Sequence, residues 1–136
     1  MKHYELIEHT ADVGIKAYGT TLAEAFEHAA EGMFDIITDE SSITHTGEYQ
    51  ILLEAPDLEQ LLVDWLSQLL FLNGAYDLVF GKFQVTLTGT CLFARVFGEK
   101  YDTKRHRMGV EIKAVTYHML QVHEGDPFFV QVLFDI

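Results

Sequence analysis

The clearest pattern in the chain is a repeat of apolar residues at the spacing of an α-helix, and it occurs twice. Thr21 opens the first repeat, and Glu24 follows three positions later, which is the capping-box arrangement found at helix starts. A helix is therefore predicted from Thr21 to about Phe34. The apolar residues that would share one face of it are Leu22, Ala25, Phe26, Ala29 and Met33.

The second repeat is the stronger one. Asp57 and Gln60 renew the capping arrangement at its start. Asn73-Gly74 follows its last apolar position, and glycine commonly ends a helix at such a place. A helix over Leu58–Leu72 is therefore predicted. Its buried side would consist of Leu61, Leu62, Trp65, Leu69 and Leu72.

Most other apolar residues alternate with polar ones, which is the period of a β-strand. The turn sequences Thr88-Gly89-Thr90 and Gly125-Asp126-Pro127 would each close a hairpin. The pattern thus predicts an α+β fold, with two helices packed on an antiparallel or mixed sheet in a single domain over residues 1–136. The predicted strands are His3–His9, Ile15–Tyr18, Tyr49–Leu53, Phe83–Leu87, Leu92–Val96, Val115–Met119 and Phe128–Phe134.

Composition indicates an ordinary globular protein: 49% of the 136 residues are hydrophobic and 12% are aromatic. Cys91 is the only cysteine, so an internal disulfide and a cysteine-cluster metal site are excluded, and a reducing compartment fits. Charged residues stand where a signal peptide would be apolar, and no apolar stretch approaches the roughly 20 residues of a membrane span. We expect a cytoplasmic protein without a membrane partner.

The formal net charge of -12 disfavours broad binding to a phosphate backbone, so a role on RNA would be exerted through a partner. The positive charge is nevertheless concentrated. Four of the nine lysines and arginines fall within eight positions, and they are joined by His106: Lys100, Lys104, Arg105 and Arg107. This basic loop is either a solvated face or a surface that meets an acidic patch or a phosphate.

The end of the sequence suggests a cation site. The last predicted strand stops at Asp135-Ile136, so the Asp135 side chain and the Ile136 main-chain carboxylate would lie one residue apart. Asp12, in a polar break between two strands, is a candidate third carboxylate. Three carboxylates repel unless a cation lies between them, and oxygen ligands alone suit Ca²⁺ or Mg²⁺. The simpler interpretation is an unremarkable terminus.

Two further groups admit both a functional and a structural interpretation. In the group His9, Thr10 and Asp12, the histidine could act as a general base that the aspartate orients. Alternatively, the Asp12 carboxylate could accept hydrogen bonds from backbone N–H groups in a turn. On an alternating strand, Lys113 would lie on one face and His118 on the other, His118 as a half-buried, hydrogen-bonded residue. The sequence contains no phosphate-binding glycine loop, nucleophile elbow or His/Cys metal spacing, which favours a helper over an enzyme.

Several segments together resemble the archease family, and they span the chain from one end to the other. Three of them are specific to the family, namely His9–Ile15, Lys113–His118 and Phe134–Ile136. The helical segments alone would be weak evidence. The segments are His9–Ile15 with Leu22–Phe26, Leu62–Leu72, Gly98-Glu99 with His106, Lys113–His118, and Phe134–Ile136.

The resemblance implies a fold similar to SHS2-type modules and a role as a non-catalytic protein cofactor. Archeases assist the RtcB-type tRNA-splicing ligase, which joins RNA ends through a histidine-guanylate intermediate, by promoting guanylylation and multiple turnover. RNA would then be reached only through the ligase. The resemblance also implies a divalent cation, typically calcium, held by Asp12, Asp135 and the carboxylate of Ile136.

A partner surface follows as a further expectation. We predict that Lys104, Arg105, His106 and Arg107 lie toward the same end of the domain as Asp12 and Asp135, with Lys113 and His118 nearby. Two alternatives remain, a small metal-dependent hydrolase using Asp12 and Asp135, and a chaperone or RNA-binding module. The first lacks a general base tied to an open metal position, and the second is disfavoured by the acidic charge.

Overall fold

The computed structural model describes residues 3–9 and 12–136. Along them the chain forms two α-helices and eight strands, with a 3₁₀ turn at Glu40–Ser42. Within the described residues, neither helix is long and apolar enough to cross a membrane. In chain order the elements are β1 (Tyr4–His9), β2 (Asp12–Gly19), α1 (Leu22–Ile37), β3 (Gly47–Glu54), α2 (Leu58–Tyr76), β4 (Leu78–Thr88), β5 (Cys91–Lys100), β6 (Ala114–Val115), β7 (Gln121–His123) and β8 (Phe128–Asp135).

The strands make two antiparallel sheets. The first has the order β1-β2-β8-β6, with β7 also paired to β8, and the second has the order β3-β5-β4. The predicted α+β class and the antiparallel pairing are confirmed. The expectation of one sheet is wrong, because β8 pairs with β2 from the start of the chain whereas, among the described residues, β3, β4 and β5 pair only with one another.

Helix α1 lies at the centre of the core. It contacts β2 and β8 of the first sheet and β4 of the second. Phe34 packs against the rings of Phe80 and Phe83. The indole N–H of Trp65, on α2, donates to the carbonyl of Phe26 at 3.0 Å, which joins the two helices. One continuous hydrophobic core therefore holds both sheets and both helices together.

The predicted start of α1 is confirmed in detail. The Thr21 hydroxyl accepts from the Glu24 N–H at 3.1 Å, and the Glu24 carboxylate accepts from the Thr20 N–H at 2.9 Å. The helix extends to Ile37, past the predicted end at Phe34. It continues because Ile36 adds another buried apolar position to the same face.

The predicted end of α2 is wrong. The helix runs through Gly74 to Tyr76, and Asp77 ends it in the left-handed conformation with φ of 62°. A side chain at Gly74 would meet open space, so this glycine serves no turn. Asp77 instead donates its N–H to the Asn73 carbonyl at 3.0 Å, the role that glycine usually takes after a helix.

The predicted strand Val115–Met119 is also wrong. β6 holds only Ala114 and Val115, and β7 begins after an intervening turn. Thr116 stops the strand, because its hydroxyl donates to the Leu133 carbonyl at 3.0 Å and accepts from the His118 N–H at 3.3 Å. The predicted division of Lys113 and His118 between two strand faces therefore does not apply.

Candidate functional site

The two aspartates of the predicted cation site are direct neighbours across two strands. β2 begins at Asp12, three residues earlier than predicted, so Asp12 lies on a strand and not in a polar break. Asp12 pairs with Asp135 of β8 in antiparallel register. Paired residues of this kind have Cα atoms about 4.5–5.5 Å apart and side chains on the same face.

The aspartate pair is partly open to solvent. Asp135 is exposed, and Asp12 is partly buried. Like charges placed directly opposite each other in a sheet destabilise it unless something compensates them. Ile136 follows β8 and is 39% exposed. The arrangement therefore concentrates oxygen ligands at one end of the first sheet, and such a set suits a hard cation.

The strand β6 fixes Lys113 beside this pair. The Lys113 N–H donates to the Asp135 carbonyl at 2.7 Å, and Ala114 is the strand partner of Asp135. The Lys113 side chain is exposed. The main chain of Lys113 therefore lies next to Asp135, as predicted, because β6 pairs with β8.

The rest of the N-terminal motif is only partly visible. His9 is the strand partner of Asp12 through its main chain. The His9 side chain, Thr10 and Ala11 lie outside the described residues. The interpretation of His9 and Asp12 as a base and its orienting residue therefore stays a hypothesis.

The basic loop is held down by a buried histidine. His106 is only 3% exposed, although the sequence suggested a surface role for it. Its Nδ1 accepts from the Asp102 N–H at 2.8 Å, and its Nε2 lies 2.8 Å from the Glu99 carboxylate. Since the acceptor Nδ1 leaves the proton on Nε2, the ring bridges the loop to β5. His106 thus supports the loop from within.

The two arginines of the loop are also engaged in the fold. Arg105 pairs with the Glu99 carboxylate. Arg107 donates to the carbonyls of Thr38 at 2.7 Å and Asp35 at 3.2 Å, at the C-terminal end of α1. A cation is favourable there, because the last carbonyls of a helix carry partial negative charge. Lys104 is exposed, and its main-chain N–H binds the Asp102 carboxylate.

Glu99 is the acceptor at the centre of this network, although it was not among the site residues predicted from the sequence. It receives bonds from the Thr44 N–H at 2.8 Å and the Thr44 hydroxyl at 2.6 Å, besides His106 and Arg105. Burial would raise the pKa of Glu99, but these donors outweigh burial and lower the pKa to about 2. The feature of the sequence that could have indicated this role is the Gly98-Glu99 pair, which places a charged residue at the end of an apolar strand.

We predict that Glu99→Gln destabilises the protein by about 1–3 kcal/mol at pH 7, because it removes the charge that four donor groups satisfy. The pKa is lowered in the folded state, so this stabilisation is complete above the ordinary value of 4.5 and is lost as pH falls toward about 2. Urea unfolding at pH 7 and at pH 3 measures the difference, which should shrink at pH 3.

Glu48→Gln is the matched control for that substitution. Glu48 also pairs with an arginine, Arg95, at 2.9 Å, but both side chains are well exposed. Exposed ion pairs contribute little to stability. Equal effects of the two substitutions at pH 7 would show that the Glu99 network does not hold the loop.

The described contacts bring most of the predicted partner-binding residues toward one end of the domain. α1 runs back along β2, since Gly19 lies against the start of α1 and Gly32 lies against Ile15. The C-terminal end of α1, where Arg107 binds, is therefore at the Asp12 end of β2. His118 is exposed in the turn after β6, next to β8 through Thr116.

Comparison with known proteins gives a consistent result. A sequence model described as the Archease protein family (MTH1598/TM1083) matches residues 4–136. Protein archease of Methanosarcina barkeri is 43% identical over 141 residues, covering 99% of this chain and 97% of that protein. Protein archease of Pyrococcus furiosus is 41% identical over 126 residues, covering 90% and 89%.

Two solved structures are similar over almost the whole chain. The solution structure of Methanobacterium thermoautotrophicum protein 1598 has a TM-score of 0.87 at 35% identity and covers 100% of both chains. The crystal structure of a Thermotoga maritima protein described as an archease and possible chaperone has a TM-score of 0.61 at 24% identity, covering 96% and 94%. The second likeness concerns the fold alone.

Proposed function

The chain belongs to the archease family, and from this premise we propose that it is a non-catalytic protein cofactor of an RtcB-type RNA-splicing ligase. Its role is to raise the rate at which the ligase is guanylylated and to support multiple turnover. The observation that carries the proposal is the pairing of Asp12 with Asp135, which joins two motifs from opposite ends of the sequence.

A divalent cation is the second part of the proposal. Asp12, Asp135 and the main-chain carboxylate of Ile136 would hold Ca²⁺, or Mg²⁺ in its place. The donor set fits, because two directly opposed carboxylates repel and present only oxygen atoms. When bound, the ion supplies positive charge that offsets the carboxylates. The paired strands fix the two aspartates relative to each other.

The surface that binds the ligase would lie at the end of the domain that carries Asp12 and Asp135. The exposed Lys104 and Lys113 side chains are the groups best suited to the rim of that interface, where charge mainly governs association rate and salt dependence. His106, Arg105 and Arg107 would act indirectly, by holding the loop that presents Lys104. His118 remains a candidate contact. With a net charge of -12, RNA is reached only through the ligase.

A protein without chemistry of its own can accelerate a partner only by binding one of the partner's states better than another. We therefore infer that the aspartate end of the domain binds the ligase more tightly when the ligase is arranged for guanylylation. Preference for that arrangement would raise the guanylylation rate and leave the ligase chemistry unchanged.

The test is a guanylylation assay with purified RtcB-type ligase and labelled GTP, with and without this protein. We expect faster formation of the covalent ligase–guanylate when the protein is added, and no RNA joining or guanylylation by the protein alone. Efficient joining of RNA ends by the isolated protein would overturn the proposal in favour of an enzyme.

A further inference from the structure

A second group of potential metal ligands lies at the other end of β2. It consists of His3, just before β1, together with His28 and Glu31 on α1. One potential ligand atom from each of the three side chains lies within 4.8 Å of the others. None of these residues belongs to the motifs that carry the resemblance.

His28 is oriented as a metal ligand. It is 7% exposed, and its Nδ1 lies 2.5 Å from the Tyr18 carbonyl. A carbonyl only accepts, so Nδ1 carries a proton, and in the neutral ring Nε2 then carries the lone pair that a metal needs. Nε2 lies 3.8 Å from the Glu31 carboxylate. Histidine ligands in metal sites usually donate their second N–H to a carbonyl in this way, which fixes the tautomer and the ring.

Helix geometry brings the second ligand alongside. His28 and Glu31 are three residues apart on α1, a spacing that places side chains on the same face of a helix. The Glu31 side chain is 24% exposed, so its carboxylate can reach an ion without leaving water completely. The helix thus supplies one nitrogen and one oxygen ligand from a rigid element.

His3 supplies the third ligand from a fixed main chain and a movable side chain. The His3 carbonyl accepts from the Tyr18 N–H at 2.8 Å, and its Nδ1 lies 3.3 Å from the Glu31 carboxylate. Its ring stacks on His28, with centroids 3.8 Å apart and an angle of 7° between the planes. Because a metal lies in the plane of each imidazole ligand, His3 must rotate out of this stack to share an ion with His28. The side chain is 51% exposed and has room to do so.

Negative charge is concentrated beside these ligands. Asp35, one turn after Glu31, accepts from the Tyr4 hydroxyl and from the Glu40 N–H. The pKa of Glu40 is raised to about 7, first by burial and then by repulsion from Glu31, Asp35 and Asp39. A cation bound next to Glu31 would relieve this repulsion.

We propose that His3, His28 and Glu31 form a site for a borderline transition-metal ion of the Zn²⁺ class. Two imidazole nitrogens and one carboxylate suit Zn²⁺, whereas Ca²⁺ prefers oxygen ligands. The ion fastens the segment before β1 to α1, with water in the remaining position. Along β2, Asp12 and Tyr18 are six positions or about 20 Å apart at 3.3 Å per residue, so the two groups of ligands share no residue and lie toward opposite ends of the strand. The two proposals are therefore independent.

The test is a titration of the untagged full chain with Zn²⁺, followed by calorimetry, and with Co²⁺, followed by its visible absorption spectrum. We expect one bound ion, a tetrahedral Co²⁺ spectrum and a higher melting temperature with Zn²⁺. His3→Gln and Glu31→Gln should each weaken Zn²⁺ binding at least about 100-fold, since loss of an outer hydrogen-bond partner alone costs 10–100-fold. Because both side chains are partly exposed, these variants should fold.

Matched controls separate this site from non-specific binding. His45→Gln and Glu59→Gln replace exposed residues of the same types elsewhere and should leave Zn²⁺ affinity unchanged. Asp135→Asn should also bind Zn²⁺ normally, which distinguishes failure here from failure of the proposed function. Zn²⁺ binding by His3→Gln and Glu31→Gln at the affinity of the original chain would overturn the site, as would the absence of saturable binding by the original chain.

Discussion

Asp135→Asn is expected to abolish nearly all stimulation of ligase guanylylation while leaving the fold intact. The substitution removes one of two opposed carboxylates at an exposed position, and the main-chain bonds of β8 do not depend on it. We expect the stimulated rate to fall at least about tenfold and Ca²⁺ affinity to fall with it, as for other changes at metal sites. The measurements are the initial rate of covalent ligase–guanylate formation and Ca²⁺ calorimetry.

Glu59→Gln is the matched control, because it neutralises an exposed carboxylate on the first turn of α2, away from the aspartate pair. Asp12→Asn should reproduce the loss seen with Asp135→Asn, whereas the control should stimulate normally. Full stimulation of ligase guanylylation by both aspartate variants would show that the aspartate pair is not required for the effect on the ligase.

Trp65→Ala should destabilise the protein by about 3–5 kcal/mol, the usual cost of replacing a buried tryptophan by alanine. Trp65 is fully buried, lies edge-on to Phe83 and binds the Phe26 carbonyl on the neighbouring helix. Its removal leaves a cavity between α1, α2 and β4. Unfolding in urea followed by circular dichroism measures the effect without needing the tryptophan signal.

Trp65→Phe separates packing from hydrogen bonding at this position. It retains an aromatic ring against Phe83 but loses the indole N–H and the pyrrole part of the indole, while the Phe26 carbonyl lies within a helix that supplies its own donors. We expect a loss of about 1–2 kcal/mol for this variant. If alanine and phenylalanine were equally destabilising, the hydrogen bond and not the packed ring would dominate.

Local sequence signals were reliable where local contacts determine the structure. The capping pair Thr21–Glu24 fixed the start of α1, and Asp57 accepts from the Gln60 N–H at 2.8 Å at the start of α2. The Gly89 turn between β4 and β5 adopts φ of +60°, as its sequence indicated. In each case the relevant partners are within four residues of each other.

The errors arose where distant residues compete with local preference. Val115 to Met119 alternates as a strand, yet the Thr116 hydroxyl bonds to the Leu133 carbonyl and turns the chain. Asn73-Gly74 is typical of a helix end, yet α2 continues until Asp77 can take the left-handed conformation. The division into two sheets likewise depends on pairings across most of the chain.

The candidate site was likewise predicted in part and missed in part. Charge reasoning brought Asp12 and Asp135 together as possible partners, and the register pairs them. The burial of His106 could not be foreseen, because it depends on Glu99 and Thr44, which lie 55 residues apart. A basic run in the sequence does not reveal which of its members are engaged in the fold.

The position of β8 bears on how the protein is made. This strand lies inside the first sheet, between β2 on one side and β6 and β7 on the other, yet it is synthesised after all of them. On the ribosome, β1 and β2 emerge early and β2 keeps an open edge until residues 128–135 arrive. Long-range pairing of this kind folds slowly and leaves strands exposed to other chains. A chain truncated before residue 128 would therefore contain every strand of the second sheet and a first sheet that cannot close.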